Sequence, residues 1–119
     1  LSARLLIVDD DLAVRSLLED FLHSQGYQMD LAANGQEAME LLSQHGDTYH
    51  CLLTDIDMPI MDGLSLAHAV HSVYPQMPII AITAEPYRAT TGASRFTSVI
   101  SKPFALSQVL HAVQHICCA

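Results

Sequence analysis

Five short apolar runs separated by stretches of helical period constrain this 119-residue chain more than any other feature of it. The runs are Arg4–Val8, 27–32, Cys51–Asp55, 78–82 and Ser98–Ser101. Between them, apolar residues recur every three or four positions. The first such set is Val14, Leu17, Leu18, Phe21 and Leu22; the second is Ala38, Met39, Leu41 and Leu42. The third is Leu64, Ala67, Val70 and Val73; the last is Leu106, Val109, Leu110, Val113 and Ile116. Strands that are apolar almost throughout are buried on both faces, and the helices between them supply the cover. With right-handed crossovers, the alternation predicts an α/β fold with a single doubly wound five-stranded parallel sheet of order 2-1-3-4-5 and helices on both faces. Residues 86–97 are the least regular: Thr90, Thr91, Gly92 and Ser94 disfavour a helix, so the fourth helix is expected to be short or distorted. Without an internal repeat or linker, residues 1–119 read as one domain.

What the strands deliver at their carboxyl ends is chemical. The first empties into Asp9, Asp10 and Asp11, of which Asp11 is well placed to cap the next helix. The third ends in Asp55, followed by Asp57 and Pro59. The fourth ends in Thr83-Ala84-Glu85, and the fifth in Lys102-Pro103-Phe104. Taken alone, Asp55 and Asp57 are equally well read as turn residues. The proposed topology decides between the readings, because ligands of open α/β sheets sit beyond the strand carboxyl ends, at the switch point. That point lies between strands one and three, so Asp9, Asp10 and Asp55 should converge there. Three clustered carboxylates require a compensating cation, and hard oxygen ligands suit Mg²⁺, or Mn²⁺ in its place. Lys102 adds a mobile ammonium and Thr83 a hydroxyl. Together they form an anion site with a nucleophile inside it, suited to phosphoryl transfer onto Asp55.

The sequence here resembles the receiver domain of two-component response regulators, a flavodoxin-like fold. The likeness rests on Asp9-Asp10, on Asp55 within Thr-Asp-Ile-Asp-Met-Pro-Ile-Met-Asp-Gly, on Thr83-Ala84 and on Lys102-Pro103-Phe104, and it spans essentially the whole chain. It implies that Asp55 is the phosphoacceptor, served by a phosphohistidine on a histidine kinase or histidine phosphotransfer domain. It implies that Asp10 and Asp55 bind Mg²⁺ by their side chains, Asp57 by its backbone carbonyl and Asp9 through water. Thr83 and the Ala84 backbone N–H would hold phosphoryl oxygens, Lys102 would pair with Asp55 or its phosphate, and the Lys102–Pro103 bond would be cis. Any enzymatic activity implied is limited to self-phosphorylation and autodephosphorylation. Two features depart from the family pattern. Val99 stands three residues before the lysine, where the family often has Tyr or Phe, and a β-branched aliphatic cannot serve as that gate. The interval from Thr83 to Lys102 is also about three residues short, by the same resemblance.

A formal charge of −8, from 13 acidic and 5 basic residues, disfavours direct contact with nucleic acid or acidic membranes. No apolar run reaches the ~20 residues of a membrane span. Three cysteines, with Cys117 and Cys118 adjacent, make no disulfide framework and fit a reducing, cytoplasmic setting. His111 and His115, four apart, lack partners to complete a zinc set and read as solvated helix residues. Two rival readings remain: a receiver-like interaction module that takes no phosphate, and an aspartyl-phosphate phosphatase of the haloacid dehalogenase type. The latter places Thr or Val where this chain has Pro59. The abrupt chain ends suggest a domain from a longer protein. The expected context is a hybrid sensor kinase, whose cytoplasmic part this would be, ahead of a stand-alone receiver or a transcription factor.

Overall fold

The computed structural model describes residues 3–58, 60–89 and 96–117. Its elements run β1 (Arg4–Val8), α1 (Leu12–Ser24), β2 (Gln28–Ala32), α2 (Gly35–His45), β3 (Cys51–Asp55), α3 (Gly63–Val73), β4 (Ile79–Thr83), β5 (Ser98–Ser101) and α4 (Leu106–Cys117). All strand pairs are parallel, and the order is β2-β1-β3-β4-β5, as the sequence predicts. Single 3₁₀ turns occupy Gly46–Thr48 and Pro86–Ala89. The second is all that the described residues show of the shortened fourth helix; 90–95 lie outside them, as does Pro59.

Alternation along the strands divides the core into two layers. Leu6, Val8, Leu52 and Ile79 face Ala38 and Leu42 of α2 and Leu66, Ala67 and Val70 of α3. Leu5, Ile7, Leu53, Ile80 and Ile82 face Leu18 and Leu22 of α1 and Val109 and Val113 of α4. Cys51 is fully buried in this second layer as a small hydrophobe. Three helices start on side-chain caps: Asp11 accepts from Ala13 N–H, Asn34 from Glu37 N–H and Asp62 from Ser65 N–H. At α2, Glu37 also reaches back to the Ala33 N–H at 2.9 Å, so the two side chains satisfy amides reciprocally.

Two positions placed inward by helical spacing turn outward. Leu17 is 48% and Val73 62% exposed, and Leu66 is the large buried residue of α3 instead. On α1 the inward stripe is Val14, Leu18, Phe21 and Leu22, with Leu17 on its flank, and Val73 is the last residue of α3.

Arg4 donates twice to Asp30, at 3.0 and 3.1 Å, and the Tyr49 hydroxyl donates to the same carboxylate at 2.6 Å, tying β1 and β2 to the segment before β3. Burial pushes the Asp30 carboxyl up, but the hydrogen bonds from Tyr49 and Arg4 outweigh it and leave its pKa below the usual carboxylate value. A lowered folded-state pKa stabilises the fold above the unfolded pKa of about 3.9, and that contribution is lost as pH falls through the folded value. In urea titrations across pH, Asp30→Asn is therefore less stable than the parent at pH 7, and the gap closes as the pH drops below about 4. Beyond β3, Ile60 has φ 72° and is 75% exposed. A β-branched residue bears a cost of about 1–2 kcal/mol in this left-handed region, whereas Asn is tolerated there. Ile60→Asn is expected to raise stability by about 1 kcal/mol, read as a higher denaturation midpoint at unchanged slope.

Candidate functional site

Strand register assembles the site. Val8 pairs with Thr54, so Asp9 and Asp55 stand side by side at the ends of neighbouring strands. Asp55 pairs with Ile82, one residue before Thr83, and Thr83 pairs with Ser101, one residue before Lys102. One carboxylate oxygen from each of Asp9, Asp10 and Asp55 lies within 4.8 Å of the others, with Asp9 and Asp55 buried and Asp10 exposed. This is the one group of three or more metal-ligating side chains among the described residues. His111 and His115 are exposed on α4 and belong to no such group.

Lys102 reaches into this cluster from β5. Its Nζ donates to Asp55 Oδ2 at 3.2 Å and lies 3.6 Å from Asp9 Oδ2. The peptide that follows it, Lys102–Pro103, is cis. Burial raises the Asp55 carboxyl pKa above its ordinary value despite the opposing Lys102 ammonium, and Asp10 adds to the rise. Asp9 is raised likewise, first by burial, with the Asp11 N–H and Lys102 opposing. For Lys102, burial works against the charge, yet Asp9 and Asp55 outweigh it and lift the ammonium above the usual lysine value. Among the described residues, three acids thus face the one ammonium of Lys102.

Backbone amides fix the orientation of both buried acids. The Asp57 N–H donates to Asp55 Oδ1 at 3.2 Å, and the Asp11 N–H donates to Asp9 Oδ1 at 2.9 Å. Asp57 and Ala84 are exposed at the rim. Thr83 is completely buried inside β4, and its hydroxyl accepts the Glu85 N–H at 3.0 Å. Its carbonyl accepts the Lys102 N–H at 2.8 Å, which joins the ends of β4 and β5. Sequence reasoning missed Arg15, whose Nη1 donates to the Asp9 carbonyl at 2.7 Å and clamps the corner between β1 and α1. Its position one turn after the Asp11 cap was the available signal. Val99 is half-exposed on β5, so that strand presents an aliphatic where the family often has an aromatic.

A buried carboxylate stands beside an ammonium and two further acids at the switch point of a 2-1-3-4-5 sheet, the place where ligands of open α/β sheets bind. Residues 5–114 match the response regulator receiver domain family, and the chain belongs to it, as a receiver domain of two-component signalling. Among its relatives, the response regulator MprA of Mycobacterium ulcerans is 35% identical over 113 residues, covering 92% of this chain and 48% of MprA. The transcriptional regulatory protein SrrA of Staphylococcus aureus is 36% identical over 117 residues, covering 96% and 47%. The chain spans about half the length of the curated relatives it matches. Its fold matches that of chemotaxis protein CheY4 of Vibrio cholerae with a TM-score of 0.89 at 30% identity, over 98% of this chain and 99% of that one. Response regulator TrrA of Thermotoga maritima, solved in complex with Mg²⁺ and BeF, matches with a TM-score of 0.88 at 29% identity, over 96% and 98%. Among the described residues, no helix is long and apolar enough to cross a membrane.

If repulsion among the acids limits stability, removing one charge relieves it. Asp10→Asn is expected to raise the melting temperature in EDTA by about 2 °C, a modest gain because Asp10 is solvent-screened. The gain should shrink as salt is added, which melting curves at two ionic strengths will check.

Proposed function

We propose that Asp55 accepts a phosphoryl group from a phosphohistidine on a partner histidine kinase or histidine phosphotransfer domain. The observation that carries this reading is the Lys102 ammonium 3.2 Å from Asp55 Oδ2, with Asp9 and Asp10 gathered around the same carboxylate. An Asp55 oxygen attacks phosphorus in line, the N–P bond of the donor breaks, and the imidazole leaves with its electron pair to be protonated from water. The new O–P bond makes Asp55 an acyl phosphate, and Lys102 offsets charge on the transferred group. Thr83 and the Ala84 N–H are assigned to phosphoryl oxygens. For Thr83, this requires its hydroxyl to turn away from the Glu85 N–H it now accepts.

Three carboxylates against one ammonium fit a hard divalent cation with oxygen ligands, so Mg²⁺, or Mn²⁺, is the proposed cofactor. Asp10 and Asp55 would hold it by their side chains, Asp57 by its carbonyl and Asp9 through water. When bound, the ion neutralises charge on the phosphoryl oxygens. TrrA, a 29% identical neighbour solved with Mg²⁺ and BeF, supports the assignment. The complete set of Asp9, Asp10, Asp55, Thr83 and Lys102 favours this reading over an interaction module that takes no phosphate. The match over 5–114 favours it over a dehalogenase-type phosphatase.

Incubation with Mg²⁺ and acetyl phosphate is expected to add one phosphate, stable to acid and labile to base or hydroxylamine. Asp55→Asn should take none, and equal labelling of that variant would refute the acceptor assignment. Mg²⁺ alone should raise the melting temperature of the parent but not of Asp10→Asn.

A further inference from the structure

Gly63 opens α3, immediately after the Asp62 cap, and its N–H donates to the Ile56 carbonyl at 2.8 Å. This bond closes the segment that leaves β3 back onto the strand end. A Cβ at this position would press on the Asp55 carbonyl oxygen and stand 2.7 Å from Ile56 Cα. Both are backbone atoms, one of them the phosphoacceptor's own. The glycine is not there for its conformational range, because Gly26 is the glycine of positive φ among the described residues. Gly35 and Gly46 make an instructive contrast: the nearest atoms a Cβ there would meet belong to the side chains of Met61 and Tyr74, not to the main chain of an acid. At Gly63 only the main chain that carries Asp55 can yield.

We infer that Gly63 is a positioning residue for phosphoacceptance: its missing side chain lets the start of α3 seat against the Asp55–Ile56 peptide and thereby aim the Asp55 carboxylate. The inference rests on the phosphoacceptor reading of Asp55. Any larger residue lifts that peptide, and with it the Asp55 Oδ1 held by the Asp57 N–H and the Oδ2 held by Lys102. The carboxylate then loses its alignment with Asp9 and Asp10. Displacements of about 1 Å at a reacting group cost rates on the order of a hundredfold.

The test compares wild type, Gly63→Ala and Gly46→Ala, well below the melting temperature of each. Mg²⁺ affinity is measured by calorimetry without phosphodonor, and labelling by acetyl phosphate separately. Gly63→Ala is expected to bind Mg²⁺ about tenfold more weakly and to label about a hundredfold more slowly. Gly46→Ala, strained against Tyr74 but far from the acids, should lose stability while keeping both values within about twofold. Wild type that labels, with Gly63→Ala equal to it in affinity and rate, would overturn the positioning role alone. Wild type that takes no label would overturn the acceptor reading, and this inference with it. Should Gly63→Ala not fold, Ile60→Asn/Gly63→Ala supplies a stabilised background. Failure of both to fold would also overturn the inference, since the glycine would then serve the fold and not the aim of Asp55.

Discussion

Three carboxylates gathered at one rim of a sheet repel one another, and the arrangement holds because Lys102 stands among them. Its ammonium bridges Asp55 and Asp9 from a strand two places along the sheet, forty-seven residues away from Asp55 in the chain. The pKa shifts follow from that compromise. Burial lifts both acids, while the acids in turn lift the lysine. One ammonium does not balance three acids; in the proposed reading the charge left over favours a divalent cation, and that cation together with Lys102 would let a phosphoryl anion approach.

That cluster is affordable because the sheet behind it is dry and well packed. Leu5, Leu6, Leu52, Leu53, Ile79 and Ile80 are fully buried, each contributing roughly 2 kcal/mol. The unfavourable electrostatics are confined to the rim, past the last core residues of β1 and within one residue of them on β3. Backbone amides at Asp11 and Asp57 and the Arg15 guanidinium on the Asp9 carbonyl then hold the strand tips in place. The segment leaving β3 holds Ile60 strained in a left-handed conformation, before Gly63 seats without strain against the Asp55–Ile56 backbone. Strain of this kind collects where function over-determines the backbone.

Some of the site was legible because its signals are local. A run such as Arg4–Val8 followed at once by Asp9 and Asp10 marks a strand ending in charge whatever surrounds it. The helix cap at Asp11 was readable for the same reason. Leu17 and Val73 were misplaced because periodicity names a helix face without saying where the helix clears the sheet. Arg15 offered only its place one turn after the Asp11 cap, and Gly63 carried no local signal of its role, since each acts on a backbone carbonyl that the fold brings to it.

By itself, then, the amino-acid order determined the succession of strands and helices, the winding of the sheet and the inventory of groups at its carboxyl edge. Periodicity, capping and crossover handedness are properties of short segments and their connections. Only the tertiary structure decided which oxygens approach within 4.8 Å, that one ammonium spans two acids, and that the Thr83 hydroxyl is engaged by Glu85. Coulomb forces and steric clearance depend on distance through space, and the register of neighbouring strands sets that distance.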